Sequence, residues 1–347
     1  MNYCTLFDSN YLSRGLTMYY SLIKYCPQSI LYIVCLDDNL YQFLLEKKLT
    51  GITPIHLKEI EASYKELELA KQNRSYVEYI FTLSPVIALF ILKKFPDNRV
   101  ITTLDADIYF FSDPSVLFKD FDSFSILVTP HRFNKNLIFL EKYGKYNVSF
   151  QTFKNDEIGI SCLNKWKNDC IDWCYDRYEV IKFADQKYLD EWAVLYPGLK
   201  EFKIGSGVAP WNIKDKYITL DSRGNILYRG EHLIFYHFHG LRNLPDNLLS
   251  LGLKGYQVIN RKKIIKHIYT EYINKLANIP DISYTGNNQI KRTMHLTFGK
   301  KIHYWFLVDL YKYRYGTLMH VFNFSFLLYL YSTIKCFIKN RTTLKIH

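Results

Sequence analysis

The stretch TTLDADIYFFSDP, residues 102–114, sets the reading of the whole chain. It closes an apolar run over residues 99–104, the length and composition of a strand buried on both faces, and the run stops at Asp105. Asp105 and Asp107 then flank one small residue, Ala106. Two carboxylates so spaced at a strand end suit a hard divalent cation, which neutralises a diphosphate and acts as a Lewis acid on a departing phosphate oxygen. The same pair could instead cap a neighbouring helix, and spacing alone leaves both readings open. Context singles this pair out, because a second triplet, Asp120-Phe121-Asp122, lies in a charged surface stretch.

Working outward, residues 2–7 are apolar and β-prone, break at Asp8-Ser9-Asn10, and give way to helical spacing through Leu16, Tyr19, Tyr20 and Ile23. Residues 30–36 form a second buried strand, closed by Asp37-Asp38-Asn39, and residues 41–49 and 85–95 read as helices. Strands alternating with helices imply a mostly parallel α/β sheet with helices on both faces. Ligands of such sheets bind beyond the carboxyl ends of the strands, so Asp8 and the Asp105/Asp107 pair should line one crevice.

Downstream, residues 164–178 look helical through Trp166, Cys170, Trp173, Cys174 and Tyr178. In ADQKYLDEW, residues 184–192, Asp185 reads as an N-cap; capping accounts for Asp185 but not for the amide of Gln186. A Gly/Pro-rich region follows, and then a strand over residues 233–237 ending in His237-Phe238-His239-Gly240. His237 and His239 share one strand face, where one of them could complete an oxygen-rich metal site, or both could bond to backbone.

The chain has 347 residues, 48% hydrophobic and 22% charged, which excludes a disulfide mini-scaffold and a disordered chain. Seven cysteines, an odd number scattered through core-like segments, read as reduced thiols. Cys170 and Cys174 lack two further ligands nearby and read as core rather than zinc ligands. The N-terminus has no signal-peptide pattern, so a cytoplasmic location is expected. The net charge of +12 is unevenly placed: residues 1–250 hold 29 Lys/Arg against 30 Asp/Glu, and residues 251–347 hold 16 against 3. A body over residues 1–245 joined to a basic, aromatic, helical region over residues 246–347 is expected. That region, with an apolar run at 318–338, suits the inner face of a membrane, and no nucleic-acid motif accompanies its charge.

Taken in order, TLFDSNYLSRGL (5–16), TLDADIYFFSDP (103–114), YNVSF (146–150), ADQKYLDEW (184–192), APWN (209–212) and HFHG (237–240) resemble the GT-A nucleotide-sugar glycosyltransferases. The pattern is closest to glycosyltransferase family 8, the lipopolysaccharide galactosyl- and glucosyltransferases and glycogenin relatives, and spans roughly residues 3–245. The resemblance implies a GT-A mixed sheet flanked by helices. It implies that Asp8, Asn10 and Tyr11 hold uridine, and that Asp105, Asp107 and His237, three residues before Gly240, bind Mn2+ (or Mg2+) on the diphosphate of a UDP-sugar. It also implies that Asp185 and Gln186 flank the donor sugar, which Asn147 faces.

Three departures stand out. Ser149 replaces a Gly of the family's Asn-x-Gly element, and Thr82 stands about where the family has an Arg, leaving Arg14 and Lys187 as candidates to replace that cation. Arg242 takes the place of a diphosphate-contacting Lys. The implied activity is transfer of a hexose, with retention, to a surface-glycan or lipid-linked acceptor in lipopolysaccharide or polysaccharide synthesis. The competing readings are a non-catalytic, membrane-associated scaffold or glycan-binding protein, and a sugar nucleotidyltransferase, whose Gly-rich first loop is missing at Asp8-Ser9-Asn10-Tyr11.

Overall fold

In the computed structural model, residues 1–119, 123–244 and 248–279 are described. The first half alternates strands and helices: β1 (Asn2–Phe7), α1 (Leu12–Tyr25), β2 (Ile30–Cys35), α2 (Asp38–Lys47), β3 (Ile52–His56), α3 (Leu57–Ser63), α4 (Leu67–Asn73), α5 (Tyr76–Lys94) and β4 (Val100–Leu104). Then come β5 (Ile108–Phe110), β6 (Ile126–Pro130), β7 (Tyr146–Lys154), α6 (Glu157–Asp172), α7 (Trp192–Leu195) and β8 (Leu199–Glu201). Short strands β9 (Ile218–Leu220), β10 (Ile226–Tyr228) and β11 (Glu231–His232) form a separate three-stranded sheet. After β12 (Phe235–His237) follow the paired strands β13 (Arg242–Leu244) and β14 (Leu248–Ser250), then α8 (Lys262–Ile264), a π-helical turn at Ile265–Tyr269 and α9 (Thr270–Leu276).

The central sheet has seven strands in the order β3-β2-β1-β4-β7-β6-β8. It is mixed: β3, β2, β1 and β4 run parallel, β7 is antiparallel to β4 and β6, and β8 is parallel to β6. Alternation along each buried strand divides the core in two. Cys4, Tyr32 and Val34 face a layer built from α3, α5 and α6, whereas Tyr3, Leu31, Ile33 and Cys35 face α1 and α2. This is the arrangement of helices over both faces that the sequence implies.

Three sequence expectations are corrected. The helix expected at 85–95 begins at Tyr76, with Pro85 inside it. A capping box starts it, Ser75 receiving the Glu78 N–H and Glu78 Oε2 receiving the Ser75 N–H at 2.8 Å, so Pro85 marks no boundary. The helix expected at 164–178 is α6, which opens at Glu157 on the cap of Asp156 and ends at Asp172. Finally, the compact body does not stop at 245. Residues 249–279 belong to the same unit, Tyr272 stacking on Phe238 with ring centroids 3.7 Å apart and Tyr109 donating to Glu271. The triplet Asp120–Asp122 and the apolar run at 318–338 lie outside the described residues.

Candidate active site

The site is built where β4 runs out. Asp105 is tied to the next strand by its N–H donating to the Ser149 carbonyl at 3.0 Å, and the chain turns directly into β5. β12 pairs antiparallel with β5, His237 standing opposite Ile108, and the Phe238 N–H donates to the Asp107 carbonyl at 2.9 Å. Two short strands, His237 lying opposite Ile108 from a distant part of the chain, therefore fix an imidazole against two carboxylates. His237 Nε2 lies 3.1 Å from Asp107 Oδ1 and 3.6 Å from Asp105 Oδ2. One candidate ligand atom from each of the three residues fits within a 4.8 Å spread. The Trp211 indole meets the His237 ring edge to face at 5.4 Å and holds its plane.

The three groups perturb one another. Burial alone would raise Asp107, but the adjacent His237 outweighs it and holds the carboxyl below the usual range. Burial raises Asp105, with the charge of Asp107 adding to it and His237 opposing. For His237, burial favours the neutral ring, yet the two carboxylates, Asp107 first, leave its pKa raised. Two carboxylates and one imidazole nitrogen form a donor set suited to a hard or borderline divalent cation such as Mn2+ or Mg2+, so the residues present fit that group.

Asp185 lies within reach of the Asp105 charge. It is 2% exposed and its Oδ2 finds no partner among the described residues. Burial pushes its carboxyl up to about 7, with a hydrogen bond to Ser84 opposing and the charge of Asp105 adding. It is not the N-cap expected: Gln186 occupies the cap position of the 3-10 turn Lys187–Glu191, without a side-chain capping bond. Asp185 is held instead by its backbone, its carbonyl accepting from Trp166 Nε1 at 2.8 Å, directly after Ala184 at φ +45°. A non-glycine residue in the left-handed region is an outlier of the kind that concentrates at functional sites. Gln186 spends its amide nitrogen on the Tyr143 carbonyl at 3.0 Å.

Asn147 and Ser149 explain each other. Asn147 is buried, its carbonyl oxygen receiving both the N–H and the hydroxyl of Ser149, while its amide donates to the Thr129 carbonyl at 3.2 Å beside the register shift between β6 and β7. The Ser in the glycine's place thus locks the Asn.

At the other end of the crevice Asp8 caps the turn after β1. It receives the Tyr11 N–H at 3.2 Å, Asn10 Nδ2 at 3.3 Å and the Tyr76 hydroxyl at 3.0 Å. The Tyr11 ring is 38% exposed, with the Arg14 guanidinium 4.4 Å from its centroid. Gly240 turns at φ +77°, with the backbone of Gly252 close by, and delivers Arg242 to an exposed position near His239. Of the cations considered for the position of Thr82, Lys187 is paired with Asp190 at 2.8 Å. Thr82 itself is buried, its hydroxyl donating to the Glu78 carbonyl.

No protein-family model matches the chain. The uncharacterized protein YfnD of Bacillus subtilis (strain 168) is 29% identical over 279 residues, which are 79% of this chain and 88% of YfnD. The uncharacterized protein YfnF of the same strain is 30% identical over 255 residues, 71% of this chain and 83% of YfnF. The chain belongs to the YfnF family. Among solved structures, the galactosyltransferase LgtC, in complex with donor and acceptor sugar analogs, matches 81% of this chain and 98% of its own at a TM-score of 0.51 and 13% identity. The YfnF-family chain therefore has the GT-A fold, resembling that of glycosyltransferase family 8.

Within this YfnF-family site, sequence reasoning overlooked Ser84, Tyr76 and Trp211 as working parts. Tyr76 lies inside the Ser75–Glu78 box as the first residue of α5, and Ser84 directly precedes Pro85, a position easily taken for a helix start.

Proposed function

We propose that the protein is a metal-dependent glycosyltransferase that moves a hexose from a UDP-sugar, with retention, to a hydroxyl of a surface-glycan or lipid-linked acceptor. The observation that carries this reading is the Asp105–Asp107–His237 cluster at the carboxyl end of β4 in a GT-A sheet. When bound, a divalent cation held by these three residues would supply Lewis-acid stabilisation to the departing diphosphate. The remaining roles belong to the chain itself. Tyr11 offers an exposed ring face for the base, and Asp8 and Asn10 fix the turn that presents it. Asp185, with one unpartnered oxygen, and Gln186, whose carbonyl oxygen remains once its nitrogen is spent, are the groups offered to the sugar hydroxyls. Asn147 shapes the sugar side of the cavity, and Arg242 after the Gly240 turn adds positive charge on the leaving-group side.

A panel of UDP-sugars with a hydroxyl acceptor, read by NMR of the product anomer, tests donor and stereochemistry together. The reading expects one favoured UDP-hexose and an α product from an α donor. A β product overturns retention, and turnover only with a non-uridine donor overturns the base assignment.

A further inference from the structure

The proposed diphosphate must reach from the ring of Tyr11 to the Asp105–Asp107–His237 cluster, and Arg14 touches both sides of that span. Arg14 is the third residue of α1 and is half-buried. Its guanidinium carbon lies 4.4 Å from the Tyr11 centroid, and its Nη2 donates to the Leu241 carbonyl at 2.9 Å, four residues beyond His237. One side chain thus touches both the base end of the crevice and the turn that leaves the metal end. Its charge also acts on Asp107 and on Tyr11. A guanidinium has five N–H donors in a planar fork that matches phosphate oxygens, and the Leu241 carbonyl takes one of them. Arg14 forms no ion pair with a carboxylate among the described residues. Of the other cations near the crevice, Arg242 is exposed beyond the Gly240 turn and acts on His239, Lys187 is paired with Asp190, Arg74 is bound to the Tyr175 hydroxyl and the Ile171 carbonyl, and Arg132 is bound to the Phe202 and Ser206 carbonyls.

We propose that Arg14 is the residue that orients the nucleotide's diphosphate, in place of a cation at Thr82, by spanning the Tyr11 ring and the Leu241 turn. This rests on the nucleotide-sugar reading above. Arg14 contacts the phosphate oxygens through its free N–H groups and leaves recognition of the base to Tyr11 and its neighbours.

The test is titration of the full chain with UDP and with uridine in the presence of Mn2+, for the wild type, Arg14→Gln and Arg14→Lys. UDP binding is followed by calorimetry and uridine binding by ligand-observed NMR. The expected result is that Arg14→Gln weakens UDP about tenfold to a hundredfold, the worth of one or two charge-assisted hydrogen bonds, and uridine less than about threefold. Arg14→Lys, which keeps the charge and loses the fork, falls between them. Equal weakening of both ligands would mean that Arg14 only latches the Leu241 turn and would overturn the proposal, as would unchanged UDP affinity in both variants. A wild-type protein that binds neither ligand would instead sink the nucleotide reading on which the proposal stands. Should Arg14→Gln not fold, the ratio for Arg14→Lys decides alone.

Discussion

Asp185 is a carboxyl group held where water does not reach, and the fold bears the cost. Its folded pKa of about 7 stands above the ordinary 3.8, so the folded chain keeps a proton that the unfolded chain releases. The sign follows directly. Whatever stability this proton favours is present below pH 3.8, is lost progressively as pH rises toward 7, and stays lost above it. A gap of about three pKa units corresponds to roughly 4 kcal/mol as an order of magnitude. Asp185→Asn removes the ionisation. In chelator, its urea midpoint should exceed that of the wild type at pH 8 and converge with it at pH 4, while its sugar transfer measured in Mn2+ falls steeply. A stability difference independent of pH would show that Asp185 is not buried as described. Such a trade is expected of a residue kept for chemistry rather than for packing.

At the scale of elements, α5 links the fold to the site. One end is fixed by the Ser75–Glu78 capping box, and Glu78 Oε1 also accepts the Asp176 N–H at 2.9 Å, tying down the segment that precedes Asp185. Ser84, in the middle of the same helix, bonds to Asp185 and opposes its raised pKa. Ser84→Ala should therefore move the limb of the kcat/KM pH profile governed by Asp185 to higher pH, while leaving UDP affinity within about twofold. A uniform loss at every pH, with no displaced limb, would reduce Ser84 to a packing role.

The elements also show where the sequence was readable. β1, β2 and β4 are apolar and buried on both faces, so each appears as an unbroken run ending at a carboxylate or a turn. β3 is an edge strand with Pro54 inside it and mostly half-buried residues, and it leaves no such run. β7 hides for the opposite reason: Asn147, Ser149 and Gln151 are buried polar residues that bond to one another across the bulge, which breaks the apolar pattern a core strand shows. The candidate metal cluster was legible because Asp105, Asp107 and His237 all sit at strand ends. The contacts of Ser84, Tyr76 and Trp211 were not, because they arise from tertiary placement and leave no local spacing.

At the scale of the molecule, a GT-A sheet gathers the ends of β1 and β4, the turn after β12 and the segment at Asp185 around one crevice. Charge sorts along that crevice. The candidate metal cluster of Asp105, Asp107 and His237 lies at one end and the exposed Tyr11 at the other, with Arg14 touching the Tyr11 ring and the Leu241 carbonyl. On the proposed function, this order would match the base, phosphates and cation of a nucleoside diphosphate. The most direct test is release of UDP by the full chain from a panel of UDP-sugars in Mn2+, alongside Asp107→Ala and a chelator control. The account predicts release from one donor that disappears in both controls. Release that persists in Asp107→Ala or in chelator, or a folded wild type that binds UDP in Mn2+ and releases it from no donor, would contradict it.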